Sequence, residues 1–355
     1  MPAEVADVRD PEETGNGTKL ARVPRTATED FRRRLNAVRG LRGDRRIVEE
    51  NDFLLVPLKD WVKDRMVVEM GGEVLWGETD PRSSFRSPME MILAEIDVDE
   101  GLMDFLPRKW EKVGDVLIMR FPVELRGLRG DLARTYADIL GAKTVCDDVG
   151  GVSGTWRRPK IEVVLGEETE TVHRENGILY MMDVMKVMFS SGNVDERRRM
   201  GEMDCRGETV VDMFAGIGYF TLPVAAHGRA EKVIACEINP DAQYYLSRNV
   251  HLNGVERTVE IFKGDNRDLP GSGFADRVIM GYVGTEAFLE KGFEMVAEGG
   301  VIHYHDTLPV DTVDEIEHVL LGAAGNRRLE ILSMREVKSY APRISHYVVD
   351  LRVDP

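Results

Sequence analysis

The sequence has few cysteines and no long apolar run, and both absences narrow the class of protein. Its 355 residues include three cysteines, which lie far apart and form no CxxC pair, so neither a zinc site nor a disulfide framework is expected. No stretch of about 18 uncharged apolar residues occurs, so no transmembrane helix is predicted. The polar, acidic N-terminus has no apolar signal segment. We therefore expect a cytoplasmic protein with neither a metal nor a membrane partner.

Positive charge is also scarce. The chain has 47 Lys and Arg against 63 Asp and Glu, a formal net charge of −16, which argues against a protein that grips nucleic acid over its whole surface. Arginine is nevertheless concentrated locally, first between residues 22 and 46. Shorter clusters follow at Arg126/Arg129/Arg134, Arg157/Arg158/Lys160 and Arg197/Arg198/Arg199. Each cluster alone is more simply a solvated surface, but together they leave room for an RNA-binding side.

The first half of the chain predicts two small regions. Residues 1–103 form an N-terminal extension and small basic module, with a helix over 28–40 that Thr28 can cap, a strand over 52–58 and a linker rich in Ser, Pro and Gly over 77–90. Residues 104–190 predict a small α+β domain with a possible RNA contact. Its elements are strands at 115–121, 160–165 and 169–173 and a helix at 131–140 that ends at Gly141.

Residues 191–355 change to an alternation of strands and helices, which is typical of an α/β domain with a parallel sheet. The predicted strands are 208–214, 231–237, 259–263, 275–280 and 300–304, with helices at 221–227 and 240–253. The last two strands, 330–338 and 346–353, are too close together for a parallel crossover and must pair antiparallel. A parallel sheet that ends in an antiparallel hairpin is the Rossmann-like fold of class I methyltransferases.

The first predicted strand of this domain leads into a glycine turn, in the stretch VVDMFAGIG. Gly216 and Gly218 let the backbone approach a ligand at the carboxyl edge of the sheet. Thr221 occupies the third position of a GxGxxG motif, so a dinucleotide pyrophosphate is poorly served. Taken alone, the two glycines are also compatible with an ordinary turn.

Polar residues end the next two strands. Glu237 is placed to accept hydrogen bonds from ribose hydroxyls, and it would repel a 2′-phosphate. Asp265 and Asn266 can pair with the amine and ring nitrogens of an adenine, although an Asx turn is the simpler alternative for these two residues. The three elements at successive strand ends together predict a site for an adenosyl ligand.

The stretches VVDMFAGIGYFTLP, ACEINP and GDNRD resemble the tRNA methyltransferases that modify guanine N1 beside the anticodon, and their archaeal-type relative in wybutosine synthesis. The likeness covers about residues 104–355 and extends to TETVHRENG at 169–177 and FSSGNVDER at 189–197. It implies S-adenosylmethionine as the group donor and tRNA as the partner.

One loop distinguishes the two relatives. Methyltransferases that act on base nitrogens usually carry Asn or Asp with Pro after the fourth strand, whereas this chain has Met280-Gly281-Tyr282-Val283. This loop, and FSSGN in place of Ser-Pro-Arg-Leu, resemble the wybutosine aminocarboxypropyltransferase. A guanine-N1 methyltransferase is the alternative, and a tRNA-binding protein that has lost catalysis is a more remote one.

The resemblance implies transfer of the 3-amino-3-carboxypropyl group to C7 of 4-demethylwyosine in the anticodon region of tRNA-Phe, by a chain that we expect to be monomeric. It places Ser190 and Arg197 beside the amino-acid arm of the donor, where an arginine suits the carboxylate. No catalytic residue is assigned. The base candidates are His173, Glu175, His303 and His305, although a structural role is the simpler interpretation of each histidine.

Overall fold

The computed structural model describes residues 8–9, 17–81, 86–154, 156–309, 311 and 315–354. The chain separates into two compact units, residues 1–87 and 88–355. This division lies inside the predicted linker 77–90 rather than at residue 103. The second division, expected after residue 190, stays a prediction.

The first unit is a folded α+β module. Its antiparallel sheet has the order β1-β5-β2-β4-β3 and comprises β1 (Val8–Arg9), β2 (Thr18–Pro24), β3 (Val48–Glu50), β4 (Phe53–Pro57) and β5 (Glu73–Gly77). Helix α1 (Thr28–Ala37) buries Phe31 and Leu35 against this sheet, and α2 (Asp64–Glu69) buries Val67. The predicted helix and strand are confirmed, but the cap is wrong. Thr28 lies inside the helix, and its hydroxyl donates to the carbonyl of Pro24 at 3.0 Å.

The second unit begins with a small α+β layer. Its sheet has the order β6-β7-β8-β9, and only the β7–β8 pair is parallel. The elements are α3 (Pro88–Glu95), β6 (Trp110–Val113), β7 (Val116–Met119), α4 (Arg129–Leu140), β8 (Thr144–Ser153) and β9 (Arg158–Leu165). Tyr136 on α4 is fully buried, and its hydroxyl donates to the carbonyl of Pro107 at 2.7 Å. Gly141 ends α4 in the left-handed conformation with φ of 64°, as the sequence predicted.

A separate hairpin follows, formed by β10 (Glu170–Glu175) and β11 (Ile178–Asp183). It was expected to extend the small sheet, but it packs on the following domain instead. The buried amide of Asn249 accepts from the N–H of Met181 at 2.7 Å and donates to the carbonyl of Ile217 at 3.0 Å. One asparagine therefore ties the hairpin to the glycine turn.

The main sheet has seven strands in the order β14-β13-β12-β15-β16-β18-β17. They are β12 (Thr209–Asp212), β13 (Lys232–Glu237), β14 (Val259–Lys263), β15 (Ala275–Met280), β16 (Val296–Pro309), β17 (Arg328–Ala341) and β18 (Ile344–Asp354). The helices are α5 (Val194–Glu202), α6 (Thr221–Ala226), α7 (Pro240–Leu252), α8 (Leu289–Met295) and α9 (Glu315–Ala324). The first five strands are parallel, and β18 pairs antiparallel with both neighbours. The predicted fold class is confirmed.

Each face of this sheet has its own apolar core. Val210 packs in the cluster with Leu222 and Leu246 from α6 and α7, while its neighbour Val211 packs with Phe293 on α8 in the other cluster. This alternation follows from the two-residue period of a strand. It leaves the carboxyl ends of the parallel strands as the open edge, where ligands of such folds bind.

Candidate active site

The turn after β12 requires glycine at two positions. Gly216 has φ of 58° and Gly218 has φ of 105°, which is the region that residues with a Cβ rarely adopt. A Cβ on Gly216 would lie 2.4 Å from the Tyr219 ring, and one on Gly218 would lie 2.6 Å from Leu222. The backbone therefore turns sharply between the strand and the helix without a side chain at either glycine.

Asp212 stabilises this turn through hydrogen bonds. Its fully buried carboxylate accepts from the Thr221 hydroxyl at 2.7 Å and from the N–H groups of Thr221 and Phe214 at 3.1 and 3.2 Å. Burial raises the pKa of Asp212 to about 6. Thr221, which breaks the dinucleotide motif, thus has a definite task that the sequence pattern did not disclose.

Glu237 stands at the end of β13 and faces the same turn. Its carboxylate accepts from the N–H of Gly216 at 2.7 Å and from the N–H of Asn239 at 2.6 Å. Burial raises the pKa of Glu237, although both N–H bonds oppose that shift. The acid is therefore held in one position, with acceptor capacity left for further hydroxyl donors.

Asp265 and Asn266 lie beyond β14 and differ in how they are engaged. The Asp265 carboxylate accepts from the backbone N–H of Arg267 and forms an ion pair with its guanidinium. The Asn266 amide donates to the carbonyl of Met213 at 2.9 Å, while its Oδ1 is buried and has no hydrogen-bond partner. A buried acceptor without a donor is costly, so Asn266 Oδ1 suits a ligand N–H.

Arg197 is almost completely buried, at 1% exposure. It forms a two-pronged ion pair with Glu175 at 2.5 and 2.7 Å and donates to the carbonyl of Ser190 at 2.9 Å. Arg197 lines the cavity, but these partners already engage its guanidinium. The amine of Lys338 donates to the Ser190 hydroxyl at 2.7 Å and also lines the cavity. Lys338 is a functional candidate that sequence reasoning missed.

These residues surround one cavity of about 370 Å³. Six of the seven predicted site residues line it, namely Ser190, Arg197, Gly216, Glu237, Asp265 and Asn266. Gly218 is not part of the wall and acts through the shape of the turn. A fixed acid at Glu237 and an unpaired amide oxygen at Asn266 fit an adenosyl ligand, and the volume is in the range of small-molecule sites.

The loop after β15 forms another part of the wall. A Cβ on Gly281 would lie 2.4 Å from the Phe220 ring, so a side chain at this position would have to displace Phe220. Tyr282 stacks on Phe214, with centroids 5.4 Å apart and planes at 24°, and Arg157 lies over the Tyr282 ring. The wall is thus aromatic and cationic here, and residues 280–283 contribute no side-chain amide, whereas Asn193, Asn239 and Asn266 line other parts of the cavity.

The four predicted base candidates are not among the residues that line this cavity. Glu175 pairs with Arg197, and His303 contacts Asp350 at 2.5 Å. His173 accepts from the N–H of Gly114, and His305 is fully buried.

A different histidine, His346, lines the cavity. It lies 41 residues beyond His305 in sequence and was not considered from the sequence, because only the strand register brings it to this wall.

Many predicted RNA-facing arginines have acidic partners. In the first unit Arg22 pairs with Glu50, and Arg25 pairs with Glu49. In the second unit Arg158 pairs with Asp241. Such pairs reduce the net positive potential that phosphates would meet, so a cluster of arginines in sequence overstates the charge available.

Two further observations bear on partners. In the part of the chain that the structure describes, no helix is long and apolar enough to cross a membrane. Across the same residues, no group of three or more His, Cys, Asp or Glu side chains is arranged to hold a metal ion.

Comparison with known proteins gives consistent matches over most of the chain. Residues 171–332 match the TRM5/TYW2 methyltransferase domain, and residues 89–169 match the TYW2 N-terminal domain. A Pyrococcus horikoshii relative named tRNA(Phe) (4-demethylwyosine(37)-C(7)) aminocarboxypropyltransferase is 42% identical over 261 residues, which are 72% of this chain and 93% of that protein.

Other matches extend this picture. The crystal structure of P. horikoshii TYW2 in complex with MeSAdo has 40% identity and a TM-score of 0.66, and the match covers 75% of this chain and 98% of that one. The tRNA (guanine(37)-N(1))-methyltransferase Trm5b of Pyrococcus abyssi is 34% identical over 95% of this chain and 99% of that protein, and its crystal structure superposes with a TM-score of 0.69. The family inferred from the motifs is confirmed: the chain belongs to the TRM5/TYW2 family.

Proposed function

We propose that this chain transfers the 3-amino-3-carboxypropyl group of S-adenosylmethionine to C7 of 4-demethylwyosine in tRNA-Phe and releases 5′-methylthioadenosine. The relative at 42% identity carries this activity in its name. The structural observation that favours it is the loop at Gly281, where Phe220 fills the space of a side chain. A ring nitrogen that is to be methylated would find no amide there to position it.

The adenosyl part of the donor is assigned to the sheet edge. Glu237 accepts from the ribose hydroxyls, since its carboxylate is already fixed by two N–H bonds. The unpaired Oδ1 of Asn266 accepts from the adenine amine, beside Asp265. Gly216 and Gly218 keep the backbone of the turn clear of the ligand.

The amino-acid arm of the donor is assigned to Lys338 and Ser190. Burial lowers the pKa of Lys338, and a carboxylate beside the amine would restore its preference for the charged form. Arg197 acts here as a positioning residue, because it holds the Ser190 carbonyl through a guanidinium that Glu175 neutralises. Lys338 thus takes the role that was expected from the sequence for Arg197, which is to bind the donor carboxylate.

The donor supplies an activated sulfonium with three carbon neighbours, so the protein decides which carbon meets the base. Anchoring both the carboxylate and the ribose fixes the orientation of the sulfonium, and aminocarboxypropyl transfer requires the orientation in which Cγ, rather than the methyl group, faces the base. Tyr282, Phe214 and Arg157 offer a flat, electron-rich and cationic surface for an unstacked purine, which is how single-stranded bases are commonly held.

We further propose that the partner is the anticodon region of tRNA-Phe, that the chain acts as a monomer and that it acts in the cytoplasm. The family's action on tRNA supports the proposed tRNA partner. Measurement of the molecular mass in solution, with and without tRNA, tests whether the chain is a monomer.

The test is a reaction of the purified chain with tRNA-Phe that carries 4-demethylwyosine and with S-adenosylmethionine labelled in either the methyl or the aminocarboxypropyl group. The expected result is a nucleoside heavier by one aminocarboxypropyl group, label transfer only from that group, and release of methylthioadenosine. Transfer of the methyl label with release of S-adenosylhomocysteine contradicts the proposal.

Guanine-N1 methylation is the second candidate. The Trm5b relative spans 95% of this chain, including the first unit. The same reaction with unmodified tRNA distinguishes it, because a methyltransferase would label guanosine and needs no tricyclic base.

A further inference from the structure

His346 lies on β18 directly opposite Lys338 on β17, and both side chains line the cavity. Among the described residues that form the wall, His346 is the only histidine. It therefore stands beside the residue assigned to the donor's amino-acid arm, near the place where the attacked carbon of the donor must lie.

A second histidine supports the first from behind. The Nε2 of His346 lies 3.1 Å from the Nδ1 of His305. His305 is fully buried, and its own Nε2 has no hydrogen-bond partner. That nitrogen lies 3.8 Å from the Oε1 of Glu196, which is too long for a hydrogen bond but close enough for electrostatic attraction.

This geometry selects one set of proton positions. Burial disfavours an ionised Glu196, but Arg199 and other nearby cations lower its pKa, so the group is a carboxylate. A carboxylate favours an N–H on the facing Nε2 of His305, which makes His305 Nδ1 the acceptor. The Nε2 of His346 then donates to it. The remaining nitrogen of His346, Nδ1, carries a lone pair.

The other ionisable groups of the wall are poorly suited to accept a proton. The Glu237 carboxylate is assigned to the ribose hydroxyls and held in place by two N–H donors, and the Asp265 carboxylate is fixed by Arg267. The Cys236 thiol is protonated, since burial raises its pKa to about 12. Burial and the charge of Lys338 lower the pKa of His346 to about 4, so its ring is neutral near pH 7.

We propose that His346 is a catalytic residue that accepts the proton from C7 of the tRNA base, with His305 and Glu196 as positioning residues behind it. The inference rests on the proposed function. The π electrons at C7 form a bond to the donor Cγ while the Cγ–S bond breaks and its electron pair neutralises the sulfonium as methylthioadenosine. The C7–H electron pair then restores the aromatic ring, and the proton passes to Nδ1 of His346.

The test compares substrate tRNA with hydrogen or deuterium at C7. His346→Gln retains a donor toward His305 but removes the basic nitrogen, and His346→Asn also removes the basic nitrogen and has an amide that is too short to replace Nε2 against His305. Wild type is expected to remove the proton quickly and to show little isotope effect. In both variants kcat is expected to fall by roughly 100-fold or more, with a primary isotope effect and little change in KM for the donor.

His305→Gln tests the support from behind. Its expected effect is a smaller fall in kcat and a shift of the acid limb of the kcat–pH profile, because the proton position on His346 is no longer specified. The charged or titratable groups that influence His346 are His305 and Asp306 on β16, Lys338 on β17 and Glu196 on α5, and all are retained in the His346 variants. His251→Gln, at an exposed histidine on α7, is the matched control and is expected to behave as wild type.

The outcomes distinguish the proposed reaction from the proposed role of His346. If wild type releases no methylthioadenosine, the proposed reaction itself is wrong. If wild type is active but both folded His346 variants retain its kcat without an isotope effect, only the assignment of His346 is overturned. Donor binding by calorimetry and thermal unfolding establish that the variants are folded.

Discussion

The assignment of the donor carboxylate to Lys338 makes a prediction that two ligands can separate. S-adenosylmethionine carries the amino-acid arm, whereas methylthioadenosine has the same adenosyl group without it. Lys338→Met removes the amine that lies 2.7 Å from the Ser190 hydroxyl while it keeps a side chain of similar length. We therefore expect weaker binding of S-adenosylmethionine and unchanged binding of methylthioadenosine.

The size of the effect follows from the bond that is lost. A hydrogen bond between charged partners contributes about 1.5–3 kcal/mol, and each 1.4 kcal/mol is about tenfold in Kd. Lys338→Met should therefore raise the Kd of S-adenosylmethionine by about 10- to 150-fold. Lys338→Arg keeps the charge and should lose less, although a guanidinium presents its donors differently.

The pH dependence has a definite sign. Burial lowers the pKa of Lys338 in the free protein, and a bound carboxylate favours the charged amine. Affinity for S-adenosylmethionine should be full below that pKa and fall as pH rises through it. Methylthioadenosine should show no such fall, and Lys338→Met should abolish it.

Isothermal calorimetry with both ligands at several pH values measures these quantities. Equal losses for the two ligands would place Lys338 at the adenosyl end or in the fold itself. An unchanged affinity for S-adenosylmethionine would return the carboxylate to Arg197, as the sequence first suggested, and would refute the present reasoning.

Three further predictions concern the wall and its support. Glu237→Ala should weaken S-adenosylmethionine and methylthioadenosine alike by about 10- to 150-fold without unfolding the protein; unequal losses in calorimetry would contradict the ribose assignment. Hydrogen bonds from its neighbours lower the pKa of Glu175 to about 2 against burial, so its contribution of about 3 kcal/mol is present above pH 4.5 and lost as pH falls toward 2. In chemical unfolding, Glu175→Gln should lower the free energy of unfolding by this amount near neutral pH and remove its fall with decreasing pH. The exposed Asp195→Asn should change the free energy of unfolding little. Gly281→Ala should lower the free energy of unfolding by about 1–3 kcal/mol, because the added methyl group overpacks the Phe220 ring. Gly322→Ala, in open space on a helix, should instead raise it by up to about 1 kcal/mol. If Gly281→Ala unfolds at the same temperature as wild type, the ring moves aside without cost.

Most helices and strands of the second unit could be predicted, because the sequence patterns that specify them extend over only a few residues. The limits of β14 and β15 agree with prediction to the residue, since alternating burial and β-branched residues act over a few positions. The glycine turn lies where the sequence predicted it from close approach to a ligand, and its positive φ angles give a separate reason for glycine. The hairpin of β10 and β11 was misplaced because its partner is Asn249, about 70 residues away, and hydrophobic period carries no information on such contacts.

The same limit explains which site residues were missed. The positions of Glu237 and Asn266 could be predicted because the first ends a parallel strand and the second follows one closely, and parallel strands present their carboxyl ends at one edge. Lys338 and His346 enter the wall from an antiparallel pair, where the register decides which side chains face the cavity. Pattern established that β17 and β18 pair, but their register contains shifts near Glu336 and Ser339, which alternation alone does not reveal.

The loop at Gly281 joins the question of reaction type to that of proton removal. Glycine there leaves space that the Phe220 ring occupies, and the Phe220 ring also lies beside His305, with centroids 5.2 Å apart. A side chain at position 281 would displace this ring and so change the packing of His305, which contacts His346. The absence of a side-chain amide is therefore coupled to the histidine pair. Placing an amide in the loop with Gly281→Asn should therefore lower the rate of aminocarboxypropyl transfer without producing methyl transfer. If methyl transfer appears in that variant, the loop determines the reaction type independently of the histidine pair.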